Sequence, residues 1–125
     1  MNRSQTVIDA FPDEAELLSR IERAFSLVLQ RVGATRVLPD SDVARREIRR
    51  DVFDGSEARY LEWRNAQDFP CGHVLLYPDG LIYAEHDVLI RHPALPGRFI
   101  EAVTAWGPLG QLKAELRLLP MPGVP

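Results

Sequence analysis

Cys71-Gly72-His73-Val74-Leu75-Leu76-Tyr77, then Pro78-Asp79-Gly80, then Leu81-Ile82-Tyr83-Ala84-Glu85-His86-Asp87-Val88-Leu89-Ile90-Arg91-His92 reads as one β-hairpin, and this reading decides the fold. Pro78-Asp79-Gly80 fits a type I turn with Gly80 in the left-handed position, which forms a bulge. The turn sets Tyr77 against Leu81, so His73 faces Glu85 and Cys71 faces Asp87. One face then carries Cys71, His73, Leu75, Tyr77, Leu81, Tyr83, Glu85, Asp87 and Leu89. The other carries Val74, Leu76, Ile82, Ala84, His86, Val88 and Ile90 and is the core face.

Working outward, Glu57–Asn65 also has a period of two, with Leu61 and Trp63 on one face and Tyr60, Glu62 and Arg64 on the other. Leu112–Leu118 alternates strictly and is expected to be a half-buried strand. Arg98–Trp106 reads as a short helix presenting Phe99, Val103 and Trp106. Near the N-terminus Asp13 and Glu16 form a capping-box pattern. Leu17, Leu18, Ile21, Ala24, Phe25, Val28, Leu29 and Val32 then recur at helical spacing, and Gly33 supplies the stop. Ala34–Leu38 is a connector. Ser41 reads as the cap of a second helix over residues 42–51, with Val43, Ala44, Ile48 and Val52 as its stripe and Gly55 as its end.

The order is therefore ααβββαβ, an α+β domain with helices packed on one face of a four-stranded, mainly antiparallel sheet. The last strand is expected to return parallel beside Glu57–Asn65 after a helical crossover. At 125 residues the chain suffices for one core, so residues 1–125 are read as a single domain. Its ordered part is expected to span residues 10–119. The N-terminal residues and the Pro-rich tail Leu119-Pro120-Met121-Pro122-Gly123-Val124-Pro125 are expected to be flexible.

A hydrophobic fraction of 46% with 26% charged residues belongs to a globular chain and excludes intrinsic disorder. The acidic net charge of −3 offers no field for nucleic acid. Lys113 is the one lysine among 15 basic residues, but the arginines are spread along the chain and read as compositional bias. Arg45, Arg46, Arg49 and Arg50 form the densest basic patch. With Asp40, Asp42, Glu47 and Asp51 among them, they read as a solvated helix face rather than a phosphate site. A single cysteine excludes an internal disulfide and any CxxC motif. The first ten residues lack the apolar segment of a secretion signal, and no apolar run reaches the length of a membrane span. A soluble cytoplasmic protein with no membrane partner is the expectation.

The hairpin holds the lone cysteine and all three histidines. Cys71, His73, Glu85 and Asp87 at its open end have the residue types of a nucleophile, a base and its orienters, and are the catalytic candidates. Cys71 and His73 stand two apart on one strand, a loose spacing for a nucleophile and its base. The same four positions without catalysis are a cross-strand His73–Glu85 pair beside an inert thiol. His73, Glu85, Asp87 and His92 include metal-ligand types but lack the short spacing of zinc motifs, so no metal is expected. His86 falls on the core face and His92 in a loop. No phosphate loop, G-x-S-x-G or H-E-x-x-H occurs, and no cofactor is expected.

Toward the turn, Leu75, Tyr77, Leu81 and Tyr83, extended by Tyr60, make the face away from the core unusually apolar. With enzyme motifs missing, the sequence favours a non-catalytic interaction protein. It would bind a protein partner, or a second copy as a homo-oligomer, through Tyr60, Leu75, Tyr77, Leu81 and Tyr83. The alternative is a small enzyme or ligand-binding domain working at Cys71, His73, Glu85 and Asp87.

Overall fold

Asp13 accepts a hydrogen bond from the Glu16 backbone N–H at 2.8 Å, and helix α1 follows over Glu14–Arg31. The computed structural model describes residues 13–34 and 41–120. The connector beyond Ala34 and the tail from Met121 onward lie outside the described residues, as do residues 1–12. Glu14 and Glu16 stand at the positive end of the α1 dipole and Arg31 at its negative end. Leu17, Ile21, Phe25 and Leu29, each four residues from the last, form its buried stripe.

Six strands follow: β1 (Ser41–Arg50), β2 (Glu57–Asn65), β3 (Pro70–Leu76), β4 (Leu81–Arg91), β5 (Arg98–Pro108) and β6 (Lys113–Pro120). They form one sheet in chain order, and every neighbouring pair is antiparallel. The β3–β4 hairpin has the register its turn dictates: His73 pairs with Glu85, and the Tyr77 N–H donates to the Leu81 carbonyl at 2.9 Å. Gly80, at φ +87°, occupies the left-handed position of that turn.

The ααβββαβ order, the four-stranded sheet and the parallel return of the last strand are all incorrect. Residues 42–51 are not a helix, because Ser41–Arg50 is edge strand β1, paired with β2 from Ser41–Asn65 to Arg50–Glu57. A bulge between Val43 and Arg45 breaks the period of two that would have marked it. Its arginines and glutamate suit a helix in isolation, but ladder pairing with β2 outweighs intrinsic propensity. Arg98–Trp106 likewise lies in β5, a strand with neighbours on both edges. Ala102, Val103, Thr104 and Ala105 are buried in succession, so both faces of β5 are covered or crowded and alternation disappears. A bulge between Ile100 and Ala102 also interrupts the alternation. Phe99, Val103 and Trp106, at helix-like spacing in the sequence, do not share a face, since Val103 enters the core and Trp106 the opposite face. The β-branched Ile100, Val103 and Thr104 are the strand signal that this spacing hides. With β5 a strand, no helical crossover remains, and β6 pairs antiparallel with β5 instead of parallel with β2.

The core lies between α1 and one face of the sheet. Phe25 meets Trp63 at 6.2 Å between ring centroids, and Val74, Ile82, Ala84, Val103 and Ala105 complete the floor. Gly72 is required here: a Cβ would stand 2.6 Å from the Glu85 carbonyl and 2.9 Å from the Trp63 ring. No helix among the described residues is long and apolar enough to cross a membrane.

Two described non-glycine residues have positive φ, Asp68 at +62° and Leu89, and the left-handed conformation strains the bulky leucine more than the aspartate. Leu89 has φ +59° at the bulge where β4 shifts register against β5, and its side chain is exposed. A left-handed conformation costs a bulky residue roughly 1–2 kcal/mol, and asparagine tolerates it better. Leu89→Asn is therefore expected to stabilise the fold by about 1 kcal/mol, read as a higher urea midpoint at unchanged slope.

Candidate functional site

The sheet registers line up two rows of side chains on the face away from α1. One row runs Glu47, Tyr60, Leu75, Tyr83, Trp106 and Lys113 from β1 to β6. The next runs Arg45, Glu62, His73, Glu85, Thr104 and Glu115. No described element covers this face, since α1 packs on the other side.

The two rows interlock. The His73 ring stacks on Tyr60 at 5.9 Å and stands 6.0 Å from Tyr83, so it lies between two tyrosines. Arg49 places its guanidinium 3.6 Å above the Tyr60 ring. The Tyr60 hydroxyl donates to Glu62 at 2.9 Å, and the Tyr83 hydroxyl donates to Glu85 at 3.2 Å. Two strands flanking His73 thus repeat one device, a tyrosine bonded to the glutamate two residues on. Arg64 donates to Glu62 at 2.9 Å, and Arg117 bonds Glu85 while also reaching Glu101 at 2.8 Å.

These contacts set the protonation states. Bonds from Tyr60 and then Arg64 hold the buried Glu62 carboxyl below its ordinary range. Burial, then the neighbouring glutamates, push the Tyr60 and Tyr83 phenols up, so both remain neutral donors. Burial also raises Asp87. On this face Glu62 is matched by Tyr60 and Arg64, and Glu85 by Tyr83 and Arg117, whereas the Asp87 and Glu115 carboxyl groups accept no hydrogen bond among the described residues. Beside it, Tyr83, Thr104, Trp106, Glu115 and Arg117 line an open depression of about 520 Å³.

The structure divides the four catalytic candidates. His73 and Glu85 pair on the open face, and Asp87 joins that face opposite Ala102. Cys71 does not: β2 and β3 shift register between Trp63–Gly72 and Arg64–Pro70, and the extra residue, Cys71, turns into the core. Its thiol lies 3.6 Å from the Trp63 carbonyl and 3.8 Å from His86 Nε2. Burial raises the thiol's pKa, the opposite of what a nucleophile needs.

His86 has the more informative surroundings. Its Nδ1 donates to the Asp87 carbonyl at 2.8 Å, which leaves Nε2 as the acceptor for the Ser41 hydroxyl at 3.0 Å. Ser41 and His86 thus have the geometry of a hydroxyl and its base. However, His86 is only 3% exposed and lies 5.3 Å from the Trp63 ring, so a substrate has no approach to Nε2. His92 also has a structural task, since its Nδ1 accepts from the Ala94 and Leu95 N–H groups. Among the described residues no group of three or more His, Cys, Asp or Glu is disposed to hold a metal.

Of the binding candidates, Tyr60, Leu75 and Tyr83 share one row, with Tyr77 and Leu81 exposed at the turn beyond them. Sequence reasoning missed Arg49 and Trp106, because both fell on segments read as helix. The alternation of β6 gave the only signal for Arg117.

The described residues define one α-helix on a six-stranded antiparallel sheet, with a polar-aromatic face that no described element covers. Comparisons with protein-family models, with curated proteins and with solved structures find no match to this chain.

Burial lowers the His86 pKa from its ordinary 6.5. The unfolded chain therefore takes up this proton more readily than the folded one. Stability from this group is complete above pH 6.5 and falls as pH drops through 6.5 toward the lower folded pKa. In urea titrations between about pH 7 and pH 5, the wild type is expected to lose stability, whereas His86→Asn, weaker throughout, shows a flatter dependence.

Proposed function

We propose that this chain is a non-catalytic binding domain that receives a protein partner on the open face of its sheet. The observation that carries this reading is the in-register row Tyr60, Leu75, Tyr83 and Trp106, which crosses four strands and which no described element covers. Tyrosine, tryptophan and arginine are the residues that dominate well-packed interfaces. Because Glu62 and Glu85 are already paired with Arg64 and Arg117, the face meets a partner as a nearly neutral surface. Recognition then rests on apolar fit and tyrosine hydrogen bonds rather than on steering by charge. The depression beside Trp106 accepts one apolar side chain of the partner, with Arg117 at its rim.

Trp106→Ala and Tyr77→Glu test this. Each is expected to weaken partner capture by about tenfold or more, the loss typical of a central interface residue. The circular-dichroism spectrum should stay native. Sedimentation of the wild type over a wide concentration range identifies self-association; a dimer broken by Tyr77→Glu makes the partner a second copy. A monomer whose captured proteins are the same in wild type and both variants would refute the proposal.

A further inference from the structure

The open edge of β6, beside α1, has the build of a second binding site. The sheet order ends at β6, so the outer backbone edge of Lys113–Pro120 has no paired strand among the described residues. Such an edge is a row of N–H and C=O groups ready to accept another strand. Helix α1 packs against β5 and β6 and leaves an open groove of about 700 Å³ along the start of β6. A groove between a helix and a free sheet edge is a geometry that takes extended peptides by strand addition.

The lining of this groove is selective. Arg20, Arg23 and Arg31 form its rim on α1, with Leu27 between them. Leu112 and the start of β6 at Lys113 border the other side, the Lys113 side chain belonging to the row on the far face. No carboxylate among the described residues lines it. Arg20 is paired with Glu16 at 2.9 Å, but Arg23, Arg31 and Lys113 have no ion pair among the described residues. In a chain of net charge −3, this is a local excess of cations around an apolar strip. Along α1 the order is cation, Leu27, cation. Arg20 to Arg31 spans about 16 Å at the helical rise of 1.5 Å per residue. That is about five residues of extended chain, whose alternate side chains point the same way.

We infer that the α1–β6 groove binds an acidic peptide as a seventh strand, its sequence running acid–x–apolar–x–acid. The acids meet Arg20 or Arg23 at one end and Arg31 at the other, and the apolar residue lies on Leu27. Backbone pairing to β6 supplies affinity, and the cations supply the choice of strand. The same cations repel the equally basic edge of a second copy, so the edge selects a partner instead of aggregating. This site is separate from the open face, and either stands without the other.

Fluorescence anisotropy with a labelled, end-blocked Thr-Glu-Thr-Val-Thr-Glu-Thr peptide tests the inference. Saturable binding that weakens as salt rises is expected. Arg23→Glu combined with Arg31→Glu, both at exposed positions, should weaken it about tenfold or more, whereas Tyr77→Glu leaves it unchanged. A peptide of the same charge with proline at alternate threonines removes backbone donors and should also lose about tenfold or more, with no change to the protein. No saturable binding, or equal binding of the proline peptide or by the doubly reversed variant, would overturn the inference. So would displacement by dodecanoate or a thymidine oligonucleotide at concentrations below that of the unlabelled peptide.

Discussion

A single described helix must serve a six-stranded sheet, and that imbalance shapes everything else. Leu17, Ile21, Phe25 and Leu29 bury one face, and against them the sheet presents an apolar floor centred on Trp63, Val74 and Val103. The opposite face has no such cover among the described residues, yet its centre is withdrawn from water by its own neighbours. Tyr60 and Glu62 are each less than a tenth exposed. A carboxylate so withdrawn is tolerable only when fully hydrogen-bonded. The Tyr60 hydroxyl and the Arg64 guanidinium meet that demand at Glu62, while Tyr83 and Arg117 do the same at Glu85. The uncovered face is stable because it is satisfied within itself.

This has a chemical consequence. Groups that catalyse must be free to gain or lose a proton, and on this face Glu62 and Glu85 are committed to their tyrosine and arginine partners. The same holds on the core side, where His86 is locked as one tautomer between Asp87 and Ser41. What remains available on the open face is area: flat rings, hydroxyl edges and a depression. The α1–β6 groove is the reverse case, with cations unmatched by the described carboxylates around a strip of leucines. One surface is neutralised and aromatic, the other charged and bordered by open backbone, so the two suit different kinds of ligand.

Legibility in the sequence followed periodicity. Helix α1 and the β3–β4 hairpin have regular patterns and explicit caps or turns, and the hairpin register could be counted from Gly80 alone. The strands that escaped are those whose regularity is interrupted. β1 is an edge strand with a bulge at Ala44, so its arginines and alanine look helical out of context. β5 is crowded on both faces and bulged at Glu101, so the period of two vanishes where it would have been most useful. The site fared similarly. Tyr60, His73 and Tyr83 were placed on one face by alternation, but Arg49 and Trp106 were hidden by the misread segments. Cys71 left the predicted cluster because one extra residue in β3 reverses the direction of a side chain, and no sequence signal marks that residue.

The topology also sets an order of assembly. Every sheet pairing joins strands adjacent in the chain, so hairpins can form locally as the polypeptide lengthens. Helix α1 is different: it comes before all the described strands, yet its closest backbone approach is to β5 and β6, the last two, with Phe25 also reaching Trp63 on β2. During synthesis its apolar stripe must wait for about 80 further residues before β5 and β6 complete its seat. The closing of this fold is therefore a single late event, the docking of its earliest described element on its latest.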